Sequence, residues 1–226
     1  MCPDMDVIDV MRFEQYIPTM FHPFVSRITD VPADGHCGYA SIAVGLGLSH
    51  TDHYYVRQQM LEELDGPFSN WWETRIDQEM IGTFAQVRAN IYWPNPLQQA
   101  DEHHWLTFPH AGLIAAQRFN TVVHFLTTAG SQTYFPLRNG PPIDPDGNYY
   151  DHRVVTVCLV RHNHFINIRL DGEYPVPVVN TYCLQWRTPE AIEWELVYQH
   201  RIDDYIRKRE QSRPPGTRTQ YVDLCL

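Results

Sequence analysis

The sequence predicts a mixed α and β fold in a single domain, and three observations predict it. Helical apolar stripes dominate the first half: Val56, Met60, Leu61 and Leu64 share one face, and Trp72, Ile76, Met80, Phe84, Val87 and Ile91 recur every three or four residues. Strand-length apolar runs dominate the second half, at 122–126, 133–137, 154–160 and 165–170. Finally, 226 residues that are 43% hydrophobic and 13% aromatic can bury one substantial core.

In chain order, residues 1–31 mix acids with Phe13, Tyr16, Ile17, Phe21 and Phe24, and Pro18 and Pro23 forbid a long helix, so this reads as a packed leader. His50-Thr51-Asp52 starts a helix that Asp65-Gly66-Pro67 stops, and the Trp72–Ile91 stripe reads as the clearest helix in the chain. A short helix is expected over Leu113–Phe119, ahead of the strands. The turn-rich stretch Arg138–Asn148 reads as a mobile surface loop bordering the substrate groove. Tyr174–Val179 is a proline-punctuated edge. Thr188 and Pro189 open a helix over 189–206 whose stripe is Trp194, Tyr198, Ile202, Tyr205 and Ile206, and 207–226 is expected to be a loose tail.

The stretch Asp34-Gly35-His36-Cys37 followed by Gly38-Tyr39-Ala40-Ser41-Ile42-Ala43 runs from a turn into a segment of small and apolar residues that suits a buried helix. Cys37 then sits in the first helical turn, where unpaired N–H groups and the helix dipole favour a thiolate. Backbone N–H groups of Asp34, Gly35, His36 and Cys37 are candidate oxyanion donors. A base is offered far downstream by Arg161-His162-Asn163-His164, between two strands. His162 and His164 project to the same face of an extended segment. A histidine entering a strand beside a turn is held firmly and still reachable, as a general base for cysteine must be.

These boxes resemble those of the OTU (ovarian tumour) family of cysteine proteases. Asp34–Ala43 is similar to the family's cysteine box, and Asn163-His164-Phe165 with its alternating strand is similar to the histidine box. The intervening Trp105–Ala115, Asn120–Phe125 and Thr133–Leu137 are especially similar to OTU-like domains of transposon-derived proteins of plants and fungi. The resemblance implies an α+β, papain-like fold with a central, mostly antiparallel sheet flanked by helices. It implies Cys37 as nucleophile and His164, rather than His162, as base. The implied activity is a deubiquitinase that hydrolyses the isopeptide bond after the Gly-Gly end of ubiquitin. The rival readings are a protease for another ubiquitin-like modifier and a catalytically silent ubiquitin-binding module. Asn163 and Phe165 would border the groove.

The third catalytic member stays open. The family often places Asp or Asn two residues after the histidine, where this chain has Ile166; Asn167 is one further along and faces the other side of a regular strand. Asp34 matches the acid of the cysteine box, or else shapes the turn before Cys37. Asp30 of the leader is a further candidate for orienting His164.

Composition limits the alternatives. A net charge of −10 disfavours binding through phosphate neutralisation, so no nucleic acid is expected, and it suits a basic partner such as the ubiquitin tail. The cysteines at 2, 37, 158, 183 and 225 are an odd, irregular set without CxxC, which argues against disulfides or a zinc knuckle. The 12 histidines lack zinc-site spacing, so no metal and no cofactor is expected. The acidic start lacks the pattern of a secretory signal, and no run has membrane-spanning length, so an intracellular monomer away from membranes is expected.

Overall fold

The sheet has five strands: β1 (Val25–Thr29), β2 (Val122–Leu126), β3 (Gln132–Tyr134), β4 (Val154–Val160) and β5 (His164–Leu170), in the order β1-β5-β4-β2-β3. Only β2 and β4 pair in parallel; the other three neighbours are antiparallel. The structure is a computed structural model and describes residues 12–146, 149 and 152–212.

Alternation along the strands sends side chains to two apolar layers. Val123, Val155, Val157 and Phe165 face a cluster built from α1 (Cys37–Gly45), α2 (His53–Asp65), α3 (Ser69–Glu79), α4 (Phe84–Ile91) and α5 (His110–Phe119). On the other face, Leu126, Cys158, Val160, Ile166 and Ile168 meet Phe13, Ile17 and Phe21 of the leader. Val122 and Phe135 meet Trp194, Tyr198 and Ile202 of α7 (Glu193–Gln211). A short α6 (Thr181–Trp186) adds Cys183 and Trp186 to the first layer. The fold is therefore α+β, with helices on both faces of a mostly antiparallel sheet.

Four local expectations change. The leader carries 3-10 turns at Glu14–Tyr16 and Thr19–Phe24, as its prolines require, but then forms the edge strand β1. The Trp72–Ile91 stripe is two helices. The backbone turns at Gly82, φ +95°, and Thr83 with Gln86 forms a capping box that starts α4. The C-terminal helix begins at Glu193 after a 3-10 turn at Glu190–Ile192, and it reaches Gln211 instead of ending at 206. Ion pairs of Arg207 and Lys208 with Asp204 extend it, and its basic last turn suits the helix dipole. Of the expected tail, 213–226 lie outside the described residues, as do residues 1–11 of the leader.

The stretch after β3 is anchored on α2, on α7 and on the 3-10 turn before α7. Arg138 pairs with Glu63 of α2, the Asn139 carbonyl accepts from Trp194, and Gly140 packs on the Glu190 carbonyl. Residues 147, 148, 150 and 151 are outside the described residues. The three described cysteines, Cys37, Cys158 and Cys183, are free and buried, while Cys2 and Cys225 are outside the described residues. No helix is long and apolar enough to cross a membrane among the described residues.

Candidate active site

Cys37 is the first residue of α1, and the turn before it is held from outside. Asp34 accepts the N–H of His36 through Oδ1 at 2.9 Å and the N–H of Ala100 through its carbonyl at 3.0 Å. Gly35 adopts φ +82°, and a Cβ there would lie 2.1 Å from the Ala100 carbonyl oxygen. Only glycine fits both the dihedral and the close approach. One turn further, Gly38 lets Leu106 lie against the helix, where a Cβ would come within 2.4 Å.

His164 opens β5 after the tight turn Arg161–Asn163, in which Arg161 and His162 take φ +53° and +67°. Its Nε2 meets Asp30 Oδ1 at 2.7 Å, and the other carboxylate oxygen of Asp30 accepts from Arg12 at 3.1 Å. An ionised carboxylate can only accept, so Nε2 carries the proton. Nδ1 is then the lone-pair nitrogen; it is buried and has no hydrogen-bond partner among the described residues. β1 brings Asp30 there. Its pairing with β5 ends at Thr29 opposite Asn167, and the next residue reaches the end of the strand where His164 sits. The Cys37 sulfur lies near the same strand end, where the backbone N–H of Phe165, the residue after His164, acts on it electrostatically along with the N–H groups of Gly38 and Cys37.

Burial raises the Cys37 thiol above its ordinary range; those three N–H groups pull it back and the Asp34 charge pushes it further up. The helix start alone would favour a thiolate. Desolvation of a residue only 8% exposed outweighs it and favours the neutral thiol over the thiolate.

No protein-family model matches the chain, and no curated protein is similar in sequence. Solved structures similar to the chain include two OTU domains. One is the viral OTU domain protease from Dera Ghazi Khan virus, at 11% identity over 71% of this chain and 85% of that one, with a TM-score of 0.42. The other is the OTUD1 OTU domain, at 13% identity over 63% and 84%, also with a TM-score of 0.42. Likeness at this level assigns no chemistry, which rests on the residues themselves.

Among the sequence candidates, Cys37 lies near the backbone of Phe165, the residue after His164, and Asp30 is the hydrogen-bond partner of the imidazole. Asp34 is occupied by the turn, and its hydrogen bond takes the His36 N–H that would otherwise be free for an oxyanion. The N–H of Cys37 remains at the sulfur. Asn167 faces α1, where Nδ2 donates to the carbonyls of Ser41 at 3.2 Å and Thr156 at 3.1 Å, so it ties helix to sheet. Ile166 is in the opposite core layer. Asn163 is exposed in the turn beside His164, whereas the Phe165 ring packs with Phe108 and Phe125 and contributes only its backbone to the site. His162 is exposed. Sequence reasoning missed the brace at Gln98 and Ala100 and the buried Arg57 behind His36. The segment between α4 and α5 has no periodicity to reveal the first, and Arg57 reads as an ordinary polar helix position.

Proposed function

We propose that the protein is a cysteine hydrolase of the deubiquitinase type. The observation that supports this best is the Asp30–His164 hydrogen bond, which leaves Nδ1 as a buried base at the strand end near which the Cys37 sulfur lies. In the reaction, Nδ1 takes the thiol proton as sulfur attacks the carbonyl carbon of the ubiquitin C-terminal glycine. The tetrahedral oxyanion is met by backbone N–H groups at the start of α1. The imidazolium returns that proton to the departing lysine amine. Water, deprotonated by the same nitrogen, then releases the acyl group from sulfur. Asp30 keeps the imidazole in the required tautomer and stabilises its charged form.

The choice of ubiquitin, of isopeptide bonds and of a place beside transposon-related OTU-like proteins rests on the cysteine and histidine boxes. A monomer acting inside the cell on ubiquitin conjugates, without metal or cofactor, belongs to the same proposal. The buried, neutral thiol favours one rival: a module that binds ubiquitin and does no chemistry. An electrophilic ubiquitin probe decides between them. Labelling of wild type, with none of Cys37→Ala and little of His164→Ala, supports the hydrolase; retained ubiquitin binding with no labelling supports the silent module. Parallel probes built on other ubiquitin-like modifiers fix the substrate.

A further inference from the structure

Arg57 on α2 is fully buried and makes no ion pair with a carboxylate among the described residues. Nη1 donates to the carbonyls of Asn90 at 3.2 Å and Ile91 at 3.0 Å, and Nη2 to the carbonyl of His104 at 2.7 Å and to Nδ1 of His36 at 3.2 Å. The guanidinium also lies over the Tyr39 ring, 3.7 Å from its centroid. Because a guanidinium only donates, His36 Nδ1 must accept. The His36 proton is then on Nε2, facing the Gln98 carbonyl at 3.0 Å. The ring is stacked on His53 at 4.2 Å, with Trp93 at its edge. His36 is thus held neutral, in one tautomer and one plane, immediately before the nucleophile.

An unneutralised buried cation is costly and calls for compensation. Burial acts to lower the Arg57 pKa, and the groups whose negative charge opposes this are Tyr39, Asp34 and Cys37. The last two belong to the nucleophile turn. A thiolate or an oxyanion formed there would supply the missing counter-charge.

Resting on the acyl-transfer reading above, we infer that Arg57 is a positioning residue of this centre: acting through His36, it holds the Asp34–Cys37 turn in register and biases it toward the anionic forms of the reaction. Its fork geometry matters as well as its charge, since two carbonyl groups and an imidazole are bound from different edges. Protonation of His36 would set a second cation against Arg57 and break their hydrogen bond. The charged and titratable groups facing His36 are Arg57 and His53 of α2 and Asp34 of the turn, and the Trp93–Gln98 segment offers only a ring edge and a carbonyl.

The test combines turnover of a fluorogenic ubiquitin C-terminal amide with backbone amide NMR of the whole chain. Arg57→Lys keeps the charge and loses the fork; its kcat is expected to fall by about ten- to a hundredfold with KM within about twofold, and Arg57→Met further. His36→Asn, which keeps an oxygen able to accept from Arg57, retains more kcat than His36→Leu. The Gly35 and Cys37 amide resonances move in Arg57→Lys while those of α7 do not. Folded Arg57→Lys and His36→Leu proteins with wild-type kcat, or with unmoved Gly35 and Cys37 amides, would overturn the assignment. If wild type turns over no ubiquitin substrate, the proposed function fails, and the amide shifts alone decide whether Arg57 sets the turn.

Discussion

His164 and Asp30, 134 residues apart, are joined by a 2.7 Å hydrogen bond that fixes which imidazole nitrogen is free to act as a base. β1 and β5 make the meeting possible, since their antiparallel register delivers Asp30 to the strand end that holds His164. Asp30→Asn should therefore lower kcat by about a hundredfold or more, because the amide no longer favours the required tautomer or the imidazolium. Asn167→Ala should instead lower stability, by about 1–3 kcal/mol, as the Ser41 and Thr156 carbonyls lose a donor. Steady-state kinetics and thermal melts of the two variants separate the roles; a fall in kcat confined to the Asn167 variant would remove Asp30 from the site.

His162 and His164 differ in what surrounds them. His162 is exposed at φ +67°, a conformation that costs an L-residue energy. His162→Gly should keep activity and gain roughly 0.5–1 kcal/mol of stability, net of glycine's added chain entropy. Equal loss of turnover in His162→Gly and His164→Ala would show that the wrong histidine has been assigned.

Gly35→Ala should be among the most damaging single-methyl changes in the chain. The added carbon meets the Ala100 carbonyl at 2.1 Å and the backbone would be forced to hold φ +82°. The expected cost is about 1–3 kcal/mol, with turnover lost because the turn must shift. A crystal structure of the variant with an unmoved Asp34–Cys37 turn would contradict this.

The free thiol should alkylate slowly at neutral pH. Burial raises the Cys37 pKa, so its rate of reaction with iodoacetamide should rise only above the ordinary thiol midpoint of about 8.5. A plateau reached below pH 7 would mean that the sulfur already rests as a thiolate.

Acid should destabilise the fold through histidines buried in the neutral form. Burial lowers His124 to about 3 and His110 and His53 to about 4, from 6.5. Each has a depressed folded pKa, so the unfolded chain binds more protons below pH 6.5. The stability they contribute is present above that value and is lost as pH falls toward 3, on the order of a few kcal/mol for fully buried His124. A melting temperature that is flat from pH 7 to pH 4 would contradict this.

Patterns within a few residues determined much of this protein. The turn before Cys37, the apolar run of α1, the limits of β2 and β4 and the place of His164 at the head of β5 all follow from local backbone preference and side-chain period. The break between α3 and α4 was also written locally, in Gly82 and the Thr83 cap, but the unbroken apolar stripe concealed it. Tertiary structure alone decided the partner of the imidazole, since a carboxylate in the leader reaches His164 only once β1 and β5 pair in one register. It also decided the state of the sulfur and the burial of Arg57. Desolvation depends on what the rest of the chain packs around a group, and no short window of sequence contains that.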